Sequence, residues 1–95
     1  APVKSTHHPA YRSLLSRLAE ARRDRDCSQM ELAKKLGRPQ SYVAKVEMGE
    51  RRLDVLEFVA WTEALGIDAA DLISGLASQL DASQVIRRKP RPRIE

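Results

Sequence analysis

The chain has one cysteine, four glycines, four aromatic side chains and no apolar run of membrane-spanning length. Each shortage excludes something. A lone Cys27 cannot close an intramolecular disulfide, so the fold must rest on an apolar core and not on a stapled framework. With neither a membrane-length run nor a signal peptide in the pattern, the expected setting is a reducing cytoplasm. The few glycines form no phosphate-cradling loop, and no nucleophile stands beside a plausible base, so an enzyme is not expected. His7 and His8 are adjacent, hence badly placed to share one metal, and no cysteine or acidic cluster completes a site; no metal or cofactor is expected. The scarcity of aromatics beside 42% apolar and 32% charged residues favours a small all-α domain over a β-sandwich or a disordered chain. At 95 residues there is room for one compact unit with tails, a domain being roughly 100 to 200 residues.

A further absence is local. Residues 53–86 contain no Lys or Arg at all, and with six acidic side chains they carry −6. The rest of the chain compensates: residues 1–21 carry +2, residues 22–52 carry +4 and residues 87–95 carry +4, for a net +4. Such a split suits a protein that turns a basic half towards a polyanion and keeps an acidic half for itself or a protein partner.

What is present is helical. Residues 1–10, with Pro2 and Pro9, read as an irregular lead-in to a domain over residues 11–80, followed by an extension over residues 81–95. From Tyr11 to about Arg23, the apolar residues Tyr11, Leu14, Leu15 and Leu18 fall at i, i+3, i+4 and i+7, one buried stripe of a first helix. Cys27, just before the next helix start, is expected as an apolar plug. Ser28 and Glu31 have capping-box spacing and open a second helix through Leu32, Ala33 and Leu36, which Gly37 stops. A three-residue turn leads to a third helix with Pro39 in its first turn, Val43 and Val46 inward, and Gly49 at its end. Asp54 and Glu57 repeat the capping pattern for a fourth helix ending at Gly66. Asp68 and Asp71 cap a fifth, whose apolar positions Leu72, Ile73, Leu76 and Leu80 extend towards Ile86 although Gly75 weakens it by about 1 kcal/mol against alanine. Pro90 and Pro92 leave Arg87 to Arg93 as an extended basic tail, fit to track phosphates or to lie in solvent.

The stretch from Ser28 to Gly49 resembles the Cro and lambda-repressor-like helix-turn-helix family, the xenobiotic-response-element type. The matching residues are Ser28-Gln29, Glu31-Leu32-Ala33, Leu36-Gly37, Ser41-Tyr42-Val43, Val46-Glu47 and Gly49, with Ala64 to Ile67 further on. The resemblance implies a five-helix DNA-binding domain whose third helix enters the major groove amino end first. It places Gln40, Ser41 and Lys45 at base edges, Gln40 suited to adenine and Lys45 to guanine acceptors. Phosphate contacts are expected from Gln29, Arg38, Tyr42, Arg51 and Arg52. It also implies an ion pair between Arg22 and Glu47, joining the first helix to the end of the third. Pro39 departs from the pattern, where Ser or Thr is a frequent cap, so the helix start is shifted or capped differently.

The fourth helix is apolar on two sides. Val55, Phe58, Trp61, Thr62 and Leu65 make a stripe for the core, while Leu56, Val59 and Ala60 make a second that needs cover. A twofold dimer through helices four and five covers it, and sets two recognition helices roughly 34 Å apart over an inverted-repeat operator. The expected function is a dimeric, sequence-specific transcriptional repressor. An antitoxin or protein-interaction module, holding a protein partner on helices four and five and the tail, stays open beside it.

Overall fold

The computed structural model describes residues 8–79. They form five helices and, among the described residues, no strand: α1 Pro9–Asp24, α2 Gln29–Leu36, α3 Gln40–Glu47, α4 Val55–Leu65 and α5 Ala69–Gln79. The lead-in before His8, the continuation of the fifth helix towards Ile86 and the Arg87 to Arg93 tail lie outside the described residues.

α1 begins two residues earlier than the apolar spacing places it. Proline at the first helical position loses no hydrogen bond, and His8 in extended conformation caps it through Nδ1, which accepts from the Ala10 amide at 3.0 Å. Ala10 is buried as a result and belongs to the domain, not to a lead-in. The two capping boxes are formed in full. Ser28 Oγ accepts from the Glu31 amide at 3.0 Å while Glu31 accepts from the Ser28 amide at 2.9 Å. Asp54 and Glu57 repeat this at 2.7 and 3.1 Å. Asp68 Oδ1 accepts from the Ala70 amide at 2.9 Å at the start of α5.

The turn between α2 and α3 is Gly37, Arg38 and Pro39. Gly37 sits at φ +67°, a left-handed conformation that a side chain disfavours, and it lets the Arg38 amide reach back to the Ala33 carbonyl at 2.9 Å. Pro39 stands one place outside the helix, as its N-cap in extended conformation, and not within the first turn; a ring without a hydroxyl makes no side-chain cap. α3 closes at Glu47, two residues short of Gly49, with Met48 as its cap.

The core is a single cluster in which Leu18, Leu32, Val43, Val46 and Trp61 are completely enclosed. α1 contributes Leu14 and Leu15, α4 contributes Phe58 and Leu65, α5 contributes Leu72, and Cys27 fills the space before α2. Val55 departs from the expected core stripe: at the first position of α4 it is 76% exposed and joins Leu56, Val59 and Ala60 on the outer side. At a helix end the first turn has no preceding turn to fix its facing, so periodicity alone misassigns it.

Two glycines make opposite predictions. Gly37→Ala meets no neighbour but must hold the left-handed conformation, so it should destabilise by about 1–2 kcal/mol. At Gly75 an added Cβ would stand 2.5 Å from Arg17 Nη1, the movable end of a long side chain, so Gly75→Ala should recover close to 1 kcal/mol of helix propensity once Arg17 swings aside. Urea midpoints of the two variants check both signs.

Candidate nucleic-acid interface

The facing of α3 follows from its two valines. With Val43 and Val46 wholly enclosed, Gln40, Ser41 and Lys45 are turned outward and exposed. Tyr42 lies four residues before Val46, on the inward side, and is buried. That i, i+4 relation was available in the sequence, and it moves the Tyr42 side chain away from the surface on which a phosphate contact was expected.

The orientation of this helix is held at its last residue. Arg22 Nε donates to Glu47 Oε2 at 2.7 Å and Arg22 Nη2 donates to Oε1 at 3.1 Å, a two-point pair in which both side chains are about nine-tenths enclosed. Arg22 Nη1 also donates to the Cys27 carbonyl at 2.8 Å, fixing the α1–α2 link. Gln29 extends the chain: its Nε2 donates to Glu47 Oε1 at 2.8 Å, and its Oε1 accepts from Gln40 Nε2 at 3.2 Å. The half-buried Gln29 thus joins the ion pair to the first residue of α3. No spacing in the sequence announces this bridge, because its members stand 11 and 18 residues apart.

A second carboxylate organises the other flank. Glu57 Oε2 accepts from the Tyr42 hydroxyl and from Arg51 Nη1, each at 2.8 Å, while its Oε1 serves the α4 cap. Trp61 Nε1 donates to the Tyr42 oxygen at 3.2 Å. Burial would push the Glu57 carboxyl up, but the Asp54 amide, the Tyr42 hydroxyl and the Arg51 charge outweigh it and hold it below the ordinary carboxylate value. Tyr42 is raised, chiefly by burial, so its hydroxyl stays a proton donor. Arg38 and Arg52 are exposed, and Arg51 is half-buried. The result is a surface with polar, base-sized side chains on α3 and arginines before and after it.

A helix-turn-helix family model matches residues 18–72. Among solved structures, an XRE-family-like protein from Pseudomonas syringae pv. tomato str. DC3000 is similar at 48% identity and a TM-score of 0.69, over 73% of this chain and 84% of that one. The restriction-modification controller protein C.AhdI from Aeromonas hydrophila is similar at 34% identity and a TM-score of 0.58, over 68% of this chain and 99% of that one. The clp gene regulator ClgR from C. glutamicum shares the fold at 22% identity and a TM-score of 0.65, over 78% of this chain and 96% of that one. No curated protein matches in sequence.

Glu47→Leu leaves the enclosed Arg22 guanidinium without its partner and should cost about 3–5 kcal/mol of stability, read as a fall in the urea midpoint. Acid titration gives a separate check. A carboxyl held low in the folded state contributes stability that is present above the unfolded value and is lost as pH falls through the folded one. Glu31, lowered by its backbone and side-chain hydrogen bonds to Ser28, acts in the same direction as Glu57. Glu57→Gln should therefore flatten, without abolishing, the loss of Tm between about pH 5 and pH 3.

Proposed function

The chain belongs to the XRE/lambda-repressor-like helix-turn-helix family and is a DNA-binding transcriptional regulator, not an enzyme; from that premise we propose a dimeric repressor that reads an inverted-repeat operator through the major groove. The observation that carries this reading is the outward face of α3. Gln40, Ser41 and Lys45 stand free of the core on a helix registered by an enclosed ion pair, with Arg38, Arg51 and Arg52 flanking it. Gln40 reads adenine through its amide and Lys45 reads guanine acceptors, each good contact contributing about 1–3 kcal/mol of discrimination. Gln29 sits at the amino end of α2, where helix polarity favours a phosphate, and its contact with Gln40 would tie backbone position to base reading. Tyr42 is not given a phosphate in this reading.

The dimer rests on the outer side of α4. Leu56 is 81% exposed and Val55 nearly as much, and Val59 lines an apolar groove of about 490 Å³ shared with Ile73 and Leu76 of α5. Leu56, Val59 and Ala60 of a second copy would cover this stripe, as exposed apolar surface of that kind generally marks an interface. Among the described residues no helix is long and apolar enough to cross a membrane. A reducing cytoplasm suits the enclosed, unpaired Cys27.

Selection from a random duplex library, then titration of the enriched site and a scrambled one at two salt concentrations, tests the proposal. The expected outcome is an enriched inverted repeat bound about a thousandfold or more above scrambled DNA. Weak, equal and salt-labile binding to both would contradict it and turn the search to a protein partner for the α4–α5 groove.

A further inference from the structure

Tyr42 lies at the centre of a cluster of charged side chains drawn from both sides of α3. The guanidinium carbon of Arg38 stands 5.0 Å from its ring centroid and that of Arg51 stands 4.8 Å from it. Arg38 comes from the turn before α3 and Arg51 from the segment after it. The two sides of the helix therefore converge on one aromatic ring.

Each guanidinium is within reach of the ring, which restrains both cations. The electron-rich face of the ring attracts each, and Glu57, hydrogen-bonded to the Tyr42 hydroxyl through the same oxygen, neutralises part of the charge at Arg51. What is left is suited to an anion. Among the described residues Arg51 uses only Nη1, towards Glu57 and the Arg52 carbonyl, and Arg38 makes no side-chain hydrogen bond. The other N–H groups of two planar forks remain for a ligand. Phosphate oxygens match that fork, and an arginine already stacked on a ring loses less rotamer freedom when it grips one.

The geometry points to a single composite clamp for a DNA phosphodiester, made by Arg38 and Arg51 on the Tyr42 ring, with Tyr42 and Glu57 as positioning residues that touch no phosphate. It rests on the DNA-binding reading above and goes beyond it in two respects. Two contacts expected to act separately become one unit, and the tyrosine changes from ligand to platform. Because Glu57 also closes the α4 cap, the clamp is registered to the helix whose outer side awaits a second copy.

The test is the salt dependence of binding to a selected duplex. Each phosphate neutralised contributes nearly one unit to the slope of log K against log salt. Tyr42→Leu should reduce the slope by about one unit. Tyr42→Phe, which keeps the ring and removes the hydroxyl, should restore it. Tyr42→Leu should change nothing further when Arg38→Ala and Arg51→Ala are already present. If Tyr42→Leu does not fold, the arginine pair carries the test: the clamp predicts that the double variant loses less affinity than the two single losses combined. Additive losses would overturn it. So would a Tyr42→Leu slope equal to the wild type's, or a Tyr42→Phe loss as large as that of Tyr42→Leu; both leave the DNA-binding reading intact. A wild-type chain with no salt-dependent duplex binding would instead remove that reading, and the clamp with it.

Discussion

The carboxylate of Glu47 is the point on which three helices agree. It closes α3, takes two hydrogen bonds from Arg22 of α1 and one from Gln29 of α2, and is nine-tenths enclosed while doing so. Removing two charges from water costs much of what their attraction returns, so a pair of this kind is weak evidence for stability. Its physical use is directional. A helix of eight residues packed through Tyr42, Val43 and Val46 keeps some latitude to roll on an apolar floor; a two-point pair at its end opposes that roll. The outward setting of Gln40, Ser41 and Lys45 depends on this restriction.

The two ends of α3 are controlled by different means, which follows from what the chain places there. Pro39 offers no side-chain cap, so the amino end is steadied through Gln40 and its contact with Gln29. At the carboxyl end the Glu50 and Arg51 amides return to the Lys45 carbonyl at 2.9 and 3.2 Å, a tight closure that brings Arg51 back towards Tyr42. The charge division of the sequence has a counterpart here. Arg38, Arg51 and Arg52 flank α3, while α4 and α5 carry acidic and apolar side chains and no basic one among the described residues.

Local signals in the sequence were sufficient for most of the fold. Capping boxes at Ser28–Glu31 and Asp54–Glu57 and the stop at Gly37 act within a few residues, and each marks its helix end in the structure. The start of α1 is less legible because histidine is not a usual cap residue and Pro9 fits a lead-in as well as a first helical position, and Val55 falls off the core stripe because a helix's first turn lacks a periodic context. The candidate site was less legible, since its partners meet across the chain. Arg22 and Glu47 stand 25 residues apart and were paired through a family resemblance, not through spacing. Glu57 was read only as a capping residue; its second oxygen, shared by Tyr42 and Arg51, depends on how α3 packs on α4.

Because the pair is argued to set direction, the most direct test separates direction from stability. Arg22→Met combined with Glu47→Leu replaces both charges by apolar groups of similar size, a change that commonly leaves a protein as stable as before. The measurement is the base preference of this double variant, obtained by duplex selection alongside the wild type. The account predicts a folded protein that still binds DNA through its arginines but has lost preference at the positions proposed for Gln40 and Lys45. A folded double variant that selects the same operator as the wild type would contradict it.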